Sequence, residues 1–199
     1  MTKIYCDTAD IKTIKRCINF YNVDGVTTNP SIMRATGVKN YKSQCFKILR
    51  LTKKKPLSVE VFADTPKQIL IQAEKIAEWS KFLYVKIPIV NTKGKFMIPI
   101  IKKLNNSNIK INITAVFTFS QVKKIKKVIN KKTPTIISIF SGRIADNGTD
   151  PEILIKKSIR LFKNFKNVKI LWASTREAYN FYQAKKTGCH IITMGPKFI

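Results

Sequence analysis

Short runs of β-branched and apolar residues alternate along the chain with longer stretches in which apolar residues recur every three or four positions. The short runs predict strands at residues 3–7, 25–28, 57–62, 82–88, 109–114, 135–140, 168–174 and 190–194. The stretches between them, such as PKQILIQAEKIAEW and DPEILIKKSIRLFKNF, predict amphipathic helices. Because strands that alternate with helices usually pair in parallel, the pattern predicts an α/β fold.

Eight strand–helix units in 199 residues predict one (β/α)8 TIM barrel that spans residues 1–199 as a single domain. A doubly wound sheet is the alternative, but no GxGxxG loop follows the first strand. Only GPKFI follows the last predicted strand, so we expect the barrel to lack a full eighth helix. We expect a homo-oligomer in which a neighbouring subunit covers part of the outer face of that strand; the alternative is that this face is left open.

The predicted helices have recognisable starts. Asp10, the Asp64-Thr65-Pro66 segment and the Asp150-Pro151-Glu152 segment each precede a helical pattern. A side-chain oxygen at the cap, with proline just inside, satisfies free backbone N–H groups and suits the helix dipole. We therefore expect the aspartates in these segments to act as helix caps.

The net charge of +27 raises the possibility of a nucleic-acid partner. The positive charge is spread through almost every segment, however, and comes from 32 Lys and only 6 Arg. Proteins that recognise DNA bases or clamp phosphate groups favour arginine, whose planar side chain forms bidentate hydrogen bonds. We therefore expect no specific nucleic-acid partner. No apolar run approaches about 18 residues and the N-terminus has no secretory pattern, so we expect a cytoplasmic protein without a membrane partner.

The cysteines do not form a metal-binding pattern. Cys6, Cys17, Cys45 and Cys189 include no CxxC pair, and the sequence contains a single histidine, His190. We expect free thiols and no metal site.

In barrel enzymes the active site lies at the carboxyl ends of the strands, which allows the 11 acidic residues to be sorted by position. Helix starts account for Asp10, Asp64, Asp150, Glu152 and Glu177. Glu74 and Glu78 lie on a predicted helix, Asp24 precedes the second strand, and Asp146 lies in a predicted loop. Asp7 at the end of the first strand and Glu60 near the end of the third remain, and we expect both to project into the barrel mouth.

Lys86 lies among apolar residues in FLYVKIPIV, late in a central strand. Burial of an ammonium group is costly unless a partner is close or the amine is neutral. A neutral amine can attack a carbonyl group, so Lys86 is a candidate nucleophile. The alternative is a lysine whose stem packs while its head reaches solvent.

Other polar residues follow the remaining strands. Arg143 and Arg176, with Ser174 beside them, follow the sixth and seventh strands and are candidates for a bidentate phosphate clamp. The second, fifth and sixth strands also end in side chains that we expect to line one substrate cavity: Thr28, Asn29, Asn112, Thr114, Ser138 and Phe140.

Together these segments resemble the transaldolase family, in particular its short branch, which also includes fructose-6-phosphate aldolases. The resemblance covers essentially the whole chain. It runs through Asp7, GVTTNPS (25–31), VEVF (59–62), VKIP (85–88), NIT (112–114), SIFSGRI (138–144) and WASTR (172–176).

The resemblance implies a (β/α)8 barrel that uses neither a metal nor an organic cofactor. It implies that Lys86 forms a Schiff base with a keto-sugar phosphate and that Asp7 and Glu60 perform acid–base steps. Thr114 would position a catalytic water with Glu60, and Asn29 and Asn112 would hold substrate hydroxyls or the amine. Donor and phosphate groups would be bound by Ser138, Ser174, Arg143 and Arg176, with Phe140 lining the site.

The implied activity is transfer of a dihydroxyacetone unit from sedoheptulose 7-phosphate or fructose 6-phosphate to glyceraldehyde 3-phosphate or erythrose 4-phosphate, in the pentose phosphate pathway. A fructose-6-phosphate aldolase is the alternative, but such enzymes tend to carry Gln where Glu60 stands and Tyr where Phe140 stands. The missing C-terminal helix is the main departure from the family pattern. A barrel that binds polyanions without catalysis is a third possibility, which the set of polar residues at the mouth disfavours.

Overall fold

A computed structural model describes residues 1–199 and contains a closed barrel in which β1 to β8 pair in chain order, all in parallel. The strands are β1 Lys3–Asp7, β2 Gly25–Thr27, β3 Leu57–Glu60, β4 Leu83–Pro88, β5 Ile111–Val116, β6 Thr135–Ile139, β7 Val168–Trp172 and β8 Ile191–Met194. Each overlaps a predicted strand, so the predicted (β/α)8 fold is confirmed.

Helices cover the outside of the barrel. They are α1 Ile11–Phe20, α2 Pro30–Ala35, α3 Tyr41–Thr52, α4 Pro66–Ala77, α5 Ile98–Asn106, α6 Phe119–Lys126, α7 Ser141–Asp146, α8 Pro151–Leu161 and α9 Tyr179–Lys186. After β8 the chain forms a single 3-10 turn, Pro196–Phe198. No helix combines the length and the apolar character that crossing a bilayer requires.

Most of the hydrophobic core lies between the strands and the helices. Successive side chains of a strand face opposite sides, so Val85 and Ile87 of β4 belong to this core whereas Lys86 faces the barrel interior. The same alternation places Ile111 and Ile113 in the core and Asn112 inside the barrel. Polar residues between apolar neighbours are therefore the residues that reach the central cavity.

Two of the three predicted aspartate caps are confirmed. Asp10 accepts a hydrogen bond from the Thr13 N–H, and Asp150 accepts one from the Glu152 N–H. The prediction for Asp64 is wrong, because its carboxylate accepts hydrogen bonds from Thr92, 28 residues further along the chain.

Two other acidic residues also differ from their predicted positions. Glu177 does not cap a helix, since α9 begins after Ala178 and has no side-chain cap. Asp146, expected in a loop, is the last residue of α7.

All four cysteines are free and buried.

Candidate active site

A cavity of about 370 Å³ opens at the carboxyl ends of the strands. Nine of the twelve predicted site residues line it: Asp7, Asn29, Lys86, Asn112, Ser138, Phe140, Arg143, Ser174 and Arg176. The other three, Thr28, Glu60 and Thr114, lie behind that lining, and two of them contact Lys86 directly.

We call the polar group at the base of this cavity the floor; it consists of Lys86, Asn112 and Ser138, which line the cavity, and of Ser58 and Glu60 directly behind them. The strand register forms it, since Glu60 is the Cα partner of Lys86, and Lys86 is the Cα partner of Asn112. Residues paired in this way on adjacent parallel strands point to the same side of the sheet. Three neighbouring strands therefore supply a carboxylate, an amine and an amide at one level of the barrel.

Lys86 is 7% exposed, and its Nζ lies 3.0 Å from Oε2 of Glu60. The same Nζ donates a hydrogen bond of 3.2 Å to the carbonyl oxygen of Thr28. An ammonium group has three N–H donors, so the protein occupies two of them. A buried lysine is tolerated when a partner is close, and the folded chain supplies one in the carboxylate of Glu60.

Asn112 is completely buried and fixed at both ends of its amide. Its Nδ2 donates to Oγ of Ser58 at 3.0 Å, and its Oδ1 accepts from Oγ of Ser138 at 2.6 Å. It is the second residue of β5 and not, as predicted, at the strand's end. The two hydrogen bonds hold the amide group of Asn112 in place beside Lys86.

Asp7 belongs to a chain of hydrogen-bonded polar side chains on β1, β2 and β8, where the first and last strands close the barrel. Oγ1 of Thr27 donates to Oδ1 of Asp7 at 2.5 Å and lies 2.5 Å from Oγ1 of Thr193. Since a hydroxyl carries one proton, Thr193 is the donor to Thr27 when Thr27 donates to Asp7. Burial raises the pKa of Asp7 above its usual range, although the charge of Lys86 and the hydrogen bond from Thr27 oppose that shift.

Thr114 is the unsatisfied polar side chain near the floor. Its Oγ1 is buried and has no hydrogen-bond partner in the protein. The next residue, Ala115, has φ of 55°, a left-handed conformation that non-glycine residues rarely adopt, and the β5–β6 register shifts at this point. A buried hydroxyl without a hydrogen-bond partner is a place where an ordered water can bind.

Asn29 both caps a helix and lines the cavity. Its Oδ1 accepts a hydrogen bond of 2.8 Å from the Ile32 N–H and caps α2, which begins at Pro30. Its amide NH2 group remains for a ligand in the cavity. Thr28 is fully buried, and its hydroxyl donates to the carbonyl oxygen of Ser58, so it contributes its backbone carbonyl rather than its side chain.

We call the exposed cations at the cavity opening the rim; they are Arg143, Arg176 and Lys197. The guanidinium of Arg143 lies over the Phe140 ring, 5.3 Å from its centroid. Arg176 forms a two-pronged ion pair with Asp146, with Nη2 2.6 Å from Oδ2. The hydrogen bond with Asp146 raises the pKa of Arg176, and the same bond lowers the pKa of Asp146.

The backbone that carries the rim is tightly constrained. Ser174 has φ of +63°, and a Cβ added at Gly142 would lie only 1.6 Å from the Ser174 carbonyl oxygen. A glycine is therefore required where α7 passes the end of β7. This contact fixes the segments that carry Arg143 and Arg176 relative to each other.

Sequence reasoning missed several residues of the site. Ser58 on the floor and Thr193, Lys197 and Phe198 around the cavity were not predicted. The last three follow from barrel closure, because β8 pairs with β1 and brings its carboxyl end beside Asp7. The strand-end rule applied to the eighth strand would have identified them.

The single histidine lies at the other end of the barrel. Its Nδ1 accepts a hydrogen bond from the Ile170 N–H, and burial lowers its pKa. It borders a separate cavity of about 270 Å³ with Tyr5 and Tyr84. No three His, Cys, Asp or Glu side chains come together as potential metal ligands.

Residues 4–199 match the family described as Transaldolase/Fructose-6-phosphate aldolase. A probable transaldolase from Herpetosiphon aurantiacus is 33% identical over 193 residues, which is 96% of this chain and 83% of that protein. A probable transaldolase from Dehalococcoides mccartyi is 32% identical over 198 residues, or 99% of this chain and 88% of that protein. One from Streptococcus agalactiae is 34% identical and covers 98% of this chain and 86% of its own.

Solved structures with similar folds are much more distant in sequence. KGPDC from Streptococcus mutans superposes with a TM-score of 0.61 at 10% identity and covers 98% of this chain and 88% of its own. Thiamine phosphate pyrophosphorylase from Pyrococcus furiosus has a TM-score of 0.62 at 11% identity and covers 96% of this chain and 84% of its own. These similarities concern the barrel fold alone.

Proposed function

Because the chain belongs to the transaldolase/fructose-6-phosphate aldolase family, we propose that it is a transaldolase that moves a dihydroxyacetone unit from a ketose phosphate to an aldose phosphate through an imine on Lys86. The donor is fructose 6-phosphate or sedoheptulose 7-phosphate, and the acceptor is erythrose 4-phosphate or glyceraldehyde 3-phosphate. The observation that carries the proposal is the contact of 3.0 Å between Lys86 and Glu60 at the base of the cavity.

That contact provides a route to the reactive amine. The ammonium of Lys86 passes a proton to the Glu60 carboxylate, which leaves a lone pair on Nζ. Nζ attacks the ketone carbon of the donor, and the carbonyl oxygen takes up protons and leaves as water. The product is a protonated imine between Lys86 and the sugar. A water on the unpaired Thr114 hydroxyl relays protons between Glu60 and this centre.

Cleavage of the next carbon–carbon bond requires a base for the sugar hydroxyl and an electron sink. Asp7 accepts the hydroxyl proton, and the bonding electrons move into the imine to give an enamine. An aldose phosphate leaves with the newly formed carbonyl. The raised pKa of Asp7 makes its carboxylate a better proton acceptor than an exposed aspartate.

Transfer is completed when the enamine carbon attacks the aldehyde of the acceptor and the same steps run in reverse. An aldolase instead protonates the enamine and hydrolyses the imine, which releases free dihydroxyacetone. Glu60 favours transfer, because the aldolase branch tends to carry Gln at this position. The rim cations supply charge for the phosphate groups of donor and acceptor.

Borohydride trapping with fructose 6-phosphate tests the covalent step. The expected result is a reduced adduct of the sugar fragment on the peptide that contains Lys86, located by mass spectrometry. An adduct on any other lysine would contradict the proposed nucleophile.

The type of reaction is tested by adding donor with and without erythrose 4-phosphate. Sedoheptulose 7-phosphate should form only with the acceptor present, and little free dihydroxyacetone should accumulate. Release of dihydroxyacetone at the same rate in both reactions would identify an aldolase.

A further inference from the structure

A groove of about 500 Å³ lies between α6 and α8 on the outside of the barrel, apart from the candidate active site. We call it the α6–α8 groove. Five of its nine lining residues are cationic, and none is acidic. The cations are Lys126, Lys131, Lys157, Arg160 and Lys163. All five are exposed.

The charge of this groove is not compensated by nearby segments of the chain. No Asp or Glu occurs between residues 79 and 145, or between residues 153 and 176. The acids of α8 itself are confined to its start, where Glu152 is already paired with Lys156 at 3.1 Å. No carboxylate lines the groove itself, and Asp150 borders only the adjoining cavity that shares Phe119 and Lys157. A ligand in the groove would therefore meet a net positive charge.

The cations are spread along the groove and do not converge on one point. Lys157 and Arg160 lie one turn apart on one face of α8, and Lys163 follows just beyond the end of the helix at Leu161. Three residues of helix rise about 4.5 Å, so the charges of Lys157 and Arg160 are displaced along the groove. Lys126 and Lys131 continue the positive charge at the end of α6. A compact phosphate needs donors that meet at one place, whereas a row of donors fits a chain of phosphates.

Two aromatic rings favour a nucleic-acid strand over a plain polyphosphate. Phe119 and Phe165 line the groove and are half-buried. A lysine lies over each ring, with Lys123 Nζ 5.6 Å from the Phe119 centroid and Lys131 Nζ 5.5 Å from that of Phe165. A base that stacks on either ring displaces a flexible ammonium group, which then becomes available to a phosphate.

We propose that the α6–α8 groove binds single-stranded nucleic acid without regard to sequence, through its phosphates and by stacking on Phe119 and Phe165. Four of the five cations that line the groove are lysines, which bind phosphates as point charges, and the two aromatic rings offer only their faces to a base. This binding is independent of the chemistry at Lys86, from which the groove is separated by the barrel wall.

The experiment compares two doubly charge-reversed proteins of equal net charge. The groove variant carries Lys126→Glu and Lys157→Glu, and the control carries Lys67→Glu and Lys75→Glu on exposed positions of α4. Binding of fluorescent oligothymidylate is measured over a series of salt concentrations. Thermal unfolding and transfer activity verify that both proteins remain folded.

We expect the groove variant to lose at least about tenfold in affinity and the control much less. The slope of log K against log salt should also fall by about 1.4 in the groove variant, since two phosphate contacts are lost at about 0.7 each. Equal losses in both proteins would show that the overall charge alone attracts the strand, which would overturn the proposal.

The stacking part is tested with Phe165→Leu and with inorganic polyphosphate as a ligand without bases. Phe165→Leu should weaken oligothymidylate binding about fivefold or more and leave polyphosphate binding unchanged. Wild-type binding of polyphosphate or duplex DNA as tight as that of the single strand would contradict the assignment to single-stranded nucleic acid.

Discussion

The floor and the rim of the cavity differ in how their polar groups are held. On the floor, Lys86, Glu60 and Asn112 are enclosed by the barrel, and each has protein partners at fixed distances. On the rim, Arg143 and Lys197 contact aromatic rings, and Arg176 shares an exposed ion pair with Asp146. The floor thus has one arrangement in a medium of low dielectric constant, whereas the rim is exposed and can rearrange.

This difference indicates a division of labour. Electrostatic and hydrogen-bond interactions are strongest where water is excluded and the groups need not reorganise, which is the condition of the floor. Charges at the rim are screened by water and contribute less per contact. We therefore expect changes on the floor to abolish chemistry and changes on the rim to alter affinity.

The largest expected effect is that of Lys86→Arg. The guanidinium preserves the positive charge beside Glu60, so the fold should be retained, but it cannot form an imine. Turnover should fall by at least about 10⁴-fold, as for the loss of other covalent nucleophiles. Steady-state transfer assays and thermal unfolding of the same preparation check both statements. Substantial residual turnover would place the nucleophile elsewhere.

Glu60→Gln should have the next largest effect. The amide retains shape and hydrogen bonding to Lys86 but cannot take up a proton, so transfer should fall by about 10²–10⁴-fold. Imine formation should survive at least in part, because the amine remains in place. Trapped imine, transfer product and free dihydroxyacetone are measured together in wild type and variant. An unchanged transfer rate would refute the role of Glu60 as an acid–base group.

Asp7→Asn separates activity from stability. Transfer should fall by about 10²-fold or more, because the base is lost. A carboxylate whose pKa is raised by burial destabilises the folded state as pH rises above the unfolded value of about 3.9. The variant should therefore be more stable than wild type at pH 7, and the difference should disappear near pH 4. Urea unfolding at both pH values measures it, and a variant less stable at pH 7 would contradict this account.

The sequence predicted most of the floor because its signals are local. Lys86 and Asn112 stand out as polar residues between apolar neighbours, and strand alternation alone assigns them to the interior. The sequence did not predict hydrogen-bond and ion-pair partners that are far apart along the chain. Asp64 bonds to Thr92 instead of capping α4, and Asp146 occupies the fork of Arg176, 30 residues away. Such pairs depend on the packing of loops, which leaves no periodic pattern.

At the rim, Arg143→Ala and Arg176→Ala should weaken binding of phosphorylated donors and leave the chemical step nearly unchanged. Loss of one charge-assisted contact of about 1.5–3 kcal/mol corresponds to an increase of about 10- to 150-fold in KM. Free dihydroxyacetone, which has no phosphate, should be unaffected. Arg50→Ala at the end of α3 is the matched control. Equal losses for both substrates would contradict phosphate recognition by these arginines.

The smallest expected effect has the opposite sign and concerns Asp146. Its carboxylate engages Nε and Nη2 of Arg176, which are also the donors that a phosphate would use. Both side chains are 49% exposed, so water screens the pair and it contributes little to stability. Asp146→Asn removes the competing charge and should tighten the binding of phosphorylated donors by about two- to fivefold.

A double-mutant cycle distinguishes this competition from a simple change of surface charge. If Asp146 acts by occupying Arg176, the gain in affinity from Asp146→Asn should vanish in the Arg176→Ala background. A gain of equal size in both backgrounds would instead assign the effect to the general field of the rim. A loss of affinity in Asp146→Asn would show that the ion pair orients Arg176 toward the phosphate, and that this part of the rim is as fixed as the floor.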